Sequence, residues 1–244
     1  MSNLIAVQNT GPAKYRILAL DGGGIKGAYT ASILATWEKE TGKRIVDHFD
    51  LISGTSTGGI IAIGLGLGLS AQDILEFYQN YGAKIFPNLG LRQKLSLTLQ
   101  HFFRPKYSHE SLRAALTAVF GDRLFGESQS RLVIPTYDAV RGRIFVMKTA
   151  HLPRFTLDYK AKAVDVALTT SAAPTFFDPA KFASHANNVY VDGGVWANCP
   201  ALVALMEAYH FLNQPLDQID VLSVGTTKEP SALLFQLRNL AIIT

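Results

Sequence analysis

Cysteine is almost missing from this 244-residue chain: Cys199 stands alone, so no internal disulfide can form. No Cys/His group has zinc-like spacing, and both absences suit a reducing compartment. The first twenty residues lack the charged start, long apolar core and small-residue cleavage site of a secretory signal, so the sequence reads as cytoplasmic. A membrane span is also missing. The longest apolar run, Gly59 to Leu69 (GIIAIGLGLGL), falls short of the roughly 20 apolar residues a bilayer requires and is rich in glycine. It reads as a buried helix. Internal repeats and low-complexity linkers are lacking too, and charge is modest at +4 net, which alone leaves membrane phosphate and nucleic acid open as partners.

What is present is enough apolar material for a core, 48% of the chain, at a length that suits one large α/β domain over residues 1–244. Short apolar runs that stop at glycine predict strands at Tyr15 to Leu20 and Phe49 to Ser53, each followed by a helix, from Ala28 to Glu40 and from Thr57 onward. Thr41-Gly42 supplies a helix stop, and Ser70 can cap a helix through Tyr78. Further strands are expected at Leu132 to Thr136, Ile144 to Thr149, Val189 to Val191 and Ile219 to Val224. Further helices are expected at Ser111 to Phe120, Val164 to Thr169 and Ala201 to Phe211. This alternation predicts an α/β three-layer sandwich around a largely parallel sheet, with functional groups beyond the carboxyl ends of the strands. The last run, Ser231 to Thr244, has a helical apolar pattern and no capping signal, so the natural chain is expected to continue or this end to dock on the core.

Three motifs carry chemistry. Gly54-Thr55-Ser56-Thr57-Gly58 is a GxSxG sequence between an apolar strand and an apolar helix. A nucleophile elbow needs small residues, here Gly54 and Gly58, on either side of a serine held on a sharp turn, and the helix behind it favours developing negative charge. Asp21 to Gly27 (DGGGIKG) follows the first strand, and its glycines let several amides converge on one anion. That loop suits an oxyanion hole. It also matches GxGxxG through Gly22, Gly24 and Gly27, the dinucleotide fingerprint, with Glu38, Glu40 or Asp47 as ribose partner; the alternative is thus a nucleotide-binding protein without acyl chemistry. The serine elbow favours the hydrolase, since acyl transfer needs both motifs and a dinucleotide site only one. It is not a Walker A loop, because Ala28 stands where a hydroxyl should be. Lys26 is a candidate contact for a lipid phosphate or for the loop itself. The third motif is Asp192-Gly193-Gly194 at the end of a strand-like run, where the bland reading is a hairpin turn. The base for Ser56 is either Asp192 or a histidine. His210 has the chain order of an α/β-hydrolase base but lies in a helical run, and His48, His101, His109, His151 and His185 have no accompanying motif.

Taken together, DGGGIKG, GTSTG and DGG, in that order, resemble the patatin-like phospholipases, as do SAAPTFF from Ser171 and DGGVWANCPALVA from Asp192. The resemblance spans about Tyr15 to Gly225. It implies a Ser56–Asp192 dyad without histidine, an oxyanion hole of Gly22, Gly23 and Gly24, no metal and no cofactor. Lys26 departs from the arginine common in plant members, keeping the charge but not the bidentate geometry. The resemblance further implies membrane phospholipid as substrate and peripheral contact with the inner membrane, with no nucleic-acid polymer as partner. The chain looks closer to bacterial members, some of which are antiviral effectors switched by cyclic nucleotides, so a cyclic nucleotide activator is also expected. A candidate interfacial segment is Lys84 to Tyr107, with Leu91, Leu95, Leu99 and Phe102 on one helical face beside Arg92, Lys94, Arg104 and Lys106 and no acidic residue; its competing reading is a core-facing helix.

Overall fold

The structure, a computed structural model, describes residues 14–85, 109–174, 177, 179–180 and 188–227. Strand β1 is Tyr15–Leu20, helix α1 Gly27–Thr41, β2 Leu51–Gly54 and α2 Thr57–Gly66. Then come α3 Ala71–Ile85, α4 His109–Phe120, β3 Arg131–Asp138, β4 Arg143–Lys148 and α5 Ala163–Thr170. The described chain ends with β5 Tyr190–Asp192, the short α6 Gly194–Ala197, α7 Ala201–Met206 and β6 Ile219–Val224. Most of the candidate interfacial segment, residues 86–107, and the C-terminal run after Ser231 lie outside the described residues.

The sheet runs β4-β3-β2-β1-β6, with β5 also on β3. Strands β6, β1, β2 and β3 are mutually parallel, whereas β4 and β5 pair with β3 antiparallel, so the sheet is mixed with a parallel centre. Alternation along the central strands sorts their side chains between two layers. Leu18, Leu20, Ile52, Leu132 and Ile134 face the large core under α1–α5; Ile17, Leu51 and Val133 face Ala204 and Ala208 on the other side. All ten residues of α2 are buried, which explains a helix that is apolar all round. Gly42 ends α1 in the left-handed region at φ 65°, its amide donating to the Glu38 carbonyl at 2.9 Å.

The helix expected through Phe211 changes at Met206 into a π-helical turn over Glu207–Phe211. Glu207 is buried there and receives Lys148 Nζ at 2.5 Å and His151 Nε2 at 3.0 Å. Burial works against its ionisation, but the hydrogen bonds from His151 and Lys148 outweigh that and hold its carboxyl below the usual range. Its stabilising contribution is therefore present above the ordinary glutamate pKa and is lost as pH falls through the depressed value. Glu207→Gln is expected to cost about 3–5 kcal/mol in urea denaturation, because it strands the Lys148 charge; an unchanged midpoint would refute that account.

Candidate active site

β2 ends at Gly54 and α2 begins at Thr57, so Ser56 lies on the turn between them, with φ 56° and ψ −122°. A non-glycine residue in such backbone costs about 1–3 kcal/mol and persists only where its surroundings enforce it. Here they do. The Ser56 amide donates to Thr170 Oγ1 at 3.1 Å, and that hydroxyl donates to the Pro135 carbonyl at 2.7 Å. Thr55 Oγ1 donates to the Ala197 carbonyl at 2.6 Å. Both flanking glycines are sterically required: a Cβ at Gly54 would lie 2.1 Å from the Gly58 carbonyl oxygen, and one at Gly58 would lie 2.2 Å from that of Leu20. Leu20 also accepts the Thr55 amide at 3.1 Å, so displacing it would loosen the elbow. Gly58→Ala is accordingly expected to lower stability by at least about 3 kcal/mol in thermal or urea unfolding, and a loss below about 1 kcal/mol would contradict this packing.

Asp192 reaches the elbow by an unexpected route. Asp192 ends its strand, as the sequence indicates, but within a sheet expected to be largely parallel β5 runs antiparallel to β3. β4 pairs with Val133–Asp138 on one edge of β3, while the other edge carries β2 at Arg131–Val133 and β5 at Thr136–Asp138. β5 therefore lies in line with β2 and runs toward it, so the two strands end nose to nose. Asp192 is 5% exposed. Burial pushes its carboxyl up to about 6, against hydrogen bonds from Ser56 and from the Gly194 amide that favour the charged form. The Gly194 amide donates to Oδ1 at 2.6 Å.

The glycine loop completes the cluster, with one correction. A Cβ built at Gly22 would come within 3.3 Å of Ser56 Cβ, so the loop lies against the serine. The Gly22 amide, however, donates to the Asn198 carbonyl at 3.0 Å, which leaves Gly23 and Gly24 from the three expected donors. Among the described residues, the amides of Gly23, Gly24 and Thr57 make no hydrogen bond within the protein. Thr57 opens α2, so its amide lies at the positive end of that helix. Lys26 follows on the short turn Gly24–Lys26 and is half-buried.

Other candidates are engaged elsewhere. Of the histidines whose side chains are described, His48 stacks on Trp37, His151 is held by Thr149 and Glu207, and His210 packs beside Tyr209. Of the ribose partners, Glu38 accepts the Ile45 and Ala71 amides at 2.9 and 2.7 Å, and Asp47 accepts the Arg44 amide at 3.2 Å. Glu40 is exposed near the far end of α1. Thr170 and Asn198, which fix the serine and the glycine loop, escaped sequence reasoning. Their signal lay in the neighbouring SAAPTFF and VWANCP segments. Among the described residues no helix is long and apolar enough to cross a membrane, and no group of three or more His, Cys, Asp or Glu is arranged to hold a metal ion.

Fold and site define a three-layer α/β protein in which an elbow serine meets a buried carboxylate beside peptide amides that have no partner among the described residues. Residues 18–205 match the model of the patatin-like phospholipases, and the chain belongs to that family. It is 38% identical over 218 residues to a cGAMP-activated phospholipase of Pseudomonas aeruginosa (strain BWHPSA011 / Pa011), covering 89% of this chain and 64% of that protein. A cGAMP-activated phospholipase of Escherichia coli (strain TW11681) is 34% identical, with 96% of this chain and 67% of that protein covered. Patatin-like protein 2 of Oryza sativa subsp. indica is 33% identical over 80% of this chain and 53% of its own length. The chain thus spans about two thirds of the bacterial relatives.

Proposed function

We propose that this protein is a serine lipid-acyl hydrolase that cleaves carboxylic esters of membrane phospholipids, of phospholipase A or lysophospholipase type, through an acyl-serine intermediate. The observation that carries the reading is the meeting of Ser56 with a buried carboxyl whose pKa is near 6. An ordinary aspartate is too acidic to be an effective base at neutral pH; one raised this far is still mostly ionised at pH 7 and binds a proton more tightly.

In the proposed cycle Asp192 takes the hydroxyl proton as Ser56 Oγ bonds to the ester carbonyl carbon. The carbonyl electron pair moves to oxygen, where the Gly23 and Gly24 amides, with that of Thr57, stabilise it. Collapse of this adduct breaks the bond to the alcohol oxygen, which leaves with the proton from Asp192. Water then repeats the sequence on the acyl-serine and frees the fatty acid. We read Lys26 as an electrostatic contact for the lipid phosphate, and residues 1–244 as one catalytic domain that acts peripherally at the inner membrane. The bacterial relatives, which are cGAMP-activated phospholipases, support activation by a cyclic nucleotide, and we place the protein in antiviral defence.

A fluorophosphonate probe is expected to label Ser56, located by peptide mass spectrometry, and phospholipid vesicles are expected to release fatty acid without calcium. Active protein that is never labelled at Ser56 would defeat the dyad.

A further inference from the structure

A concave pocket of about 490 Å³ opens at the opposite end of the sheet from Ser56, among Phe49, Asp50, Ser128, Gln129, Arg131 and His151. Its size falls in the range of small-molecule sites, roughly 300–1,000 Å³. It lies at the amino ends of β2 and β3, whereas the elbow and Asp192 lie at the carboxyl end of β2 and beyond the middle of β3. It therefore plays no part in the proposed acyl chemistry.

Three kinds of group meet in this pocket. Arg131 is an exposed cation at its wall, and a second guanidinium, Arg44, reaches its edge by donating to Gln129 Oε1 at 3.0 Å. Phe49 offers a half-buried aromatic ring, braced from behind by Trp37 with centroids 5.6 Å apart. Asp50 and the Ser128–Ser130 loop supply carboxylate, hydroxyl and amide groups. A cation suits phosphate, an aromatic face suits a base, and a carboxylate beside hydroxyls suits ribose. Asp50 keeps the pocket from being a simple anion trap, since its Oδ2 accepts the Arg16 amide at 2.8 Å but still carries negative charge. A ligand with both sugar hydroxyls and phosphate fits this mixture better than a bare anion does.

Two rigid elements join the pocket to the active site. The Gln129 amide donates to the Gly66 carbonyl at 2.8 Å, at the last residue of α2, and the first residue of α2 follows Ser56. On β3, the Leu132 amide donates to Thr149 Oγ1, a pocket group, at 2.9 Å. Farther along the same strand Pro135 holds Thr170, which holds the Ser56 amide, and Thr136 pairs with Asp192. From Arg131 to Thr136 the strand spans about 17 Å at roughly 3.3 Å per residue.

We infer that this pocket is a regulatory nucleotide site, and that its ligand is a cyclic dinucleotide whose binding shifts α2 and β3 and so the geometry of Ser56 and Asp192. The inference rests on the gated-hydrolase reading above, and the following test separates the two.

The 244-residue chain is titrated calorimetrically with cGAMP as wild type, Ser56→Ala, Arg131→Ala and Gln129→Ala, and each protein is assayed on a soluble ester and on phospholipid vesicles with and without cGAMP. Ser56→Ala is expected to bind as the wild type does. Arg131→Ala is expected to bind at least about tenfold more weakly, through loss of a charge-assisted contact, and Gln129→Ala to bind and respond more weakly too, because its side chain no longer holds Arg44 at the pocket edge. Both are expected to keep their soluble-ester turnover. If wild type binds cGAMP and both pocket variants bind and respond as it does, the pocket assignment is overturned and gating stands. If wild type hydrolyses lipid but neither binds nor responds to cGAMP, both gating and pocket are overturned while the hydrolase stands.

Discussion

Ser56→Ala is expected to lower ester turnover by about 10⁴- to 10⁶-fold, the range seen when the nucleophile of a serine hydrolase is removed, while vesicle binding persists. Alanine keeps the Cβ and so the backbone strain at φ 56°; it removes only the hydroxyl. Ser56→Gly makes the complementary test. Glycine adopts this backbone without the Cβ penalty, so the glycine variant should be equally inactive but more stable than the alanine variant by about 1–3 kcal/mol. Turnover within tenfold of wild type in the alanine variant would end the case for Ser56. Equal stability of the two variants would show that the elbow is not strained.

Asp192→Asn is expected to reduce kcat by about 10⁴-fold, the scale on which removing a triad carboxylate acts. The wild-type pH profile follows from the raised carboxyl. With a value of about 6, kcat/KM should fall about tenfold per unit below pH 6 and level off above it, since the base must be ionised to accept a proton. The stability effect has the opposite sign. A carboxyl whose folded value lies above its unfolded one favours the protonated folded state, so stability declines as pH rises from about 4 to about 6, by about 3 kcal/mol in all. Asparagine escapes that loss and can still accept the Gly194 amide, so Asp192→Asn should be more stable than wild type at pH 8 though inactive. Measuring both on one preparation is decisive: a variant less stable than wild type at pH 8 would mean that burial of the Asp192 charge does not destabilise the fold.

Much of this arrangement can be read in one dimension because local rules generate it. β1 and β6 fall at their expected bounds, and Gly54 is required by a contact with Gly58, four residues on, whereas Gly58 is required by Leu20 on the neighbouring strand. Pairings are less legible. Nothing in the three-residue β5 announces that it runs against β3, because so short a strand has no periodicity to read and its direction depends on a partner more than fifty residues away. The engagement of the Gly22 amide by Asn198 depends on a contact of the same long-range kind, 176 residues apart. The π-helical turn at Glu207 was hidden for another reason: ALMEAYHFL has ordinary helical periodicity, and the buried partners of Glu207 are contributed by β4 and the residues just after it.

The nose-to-nose ends of β2 and β5 also set an order of events during synthesis. A ribosome delivers the serine early, but its neighbours Thr55 and Ala197 are 142 residues apart, and the carboxylate is made late in the described chain. A polypeptide interrupted before Asp192 therefore holds the Ser56 hydroxyl without the carboxylate proposed to deprotonate it. In the proposed mechanism, that delay confines reactivity to chains that have been made past Asp192 and folded.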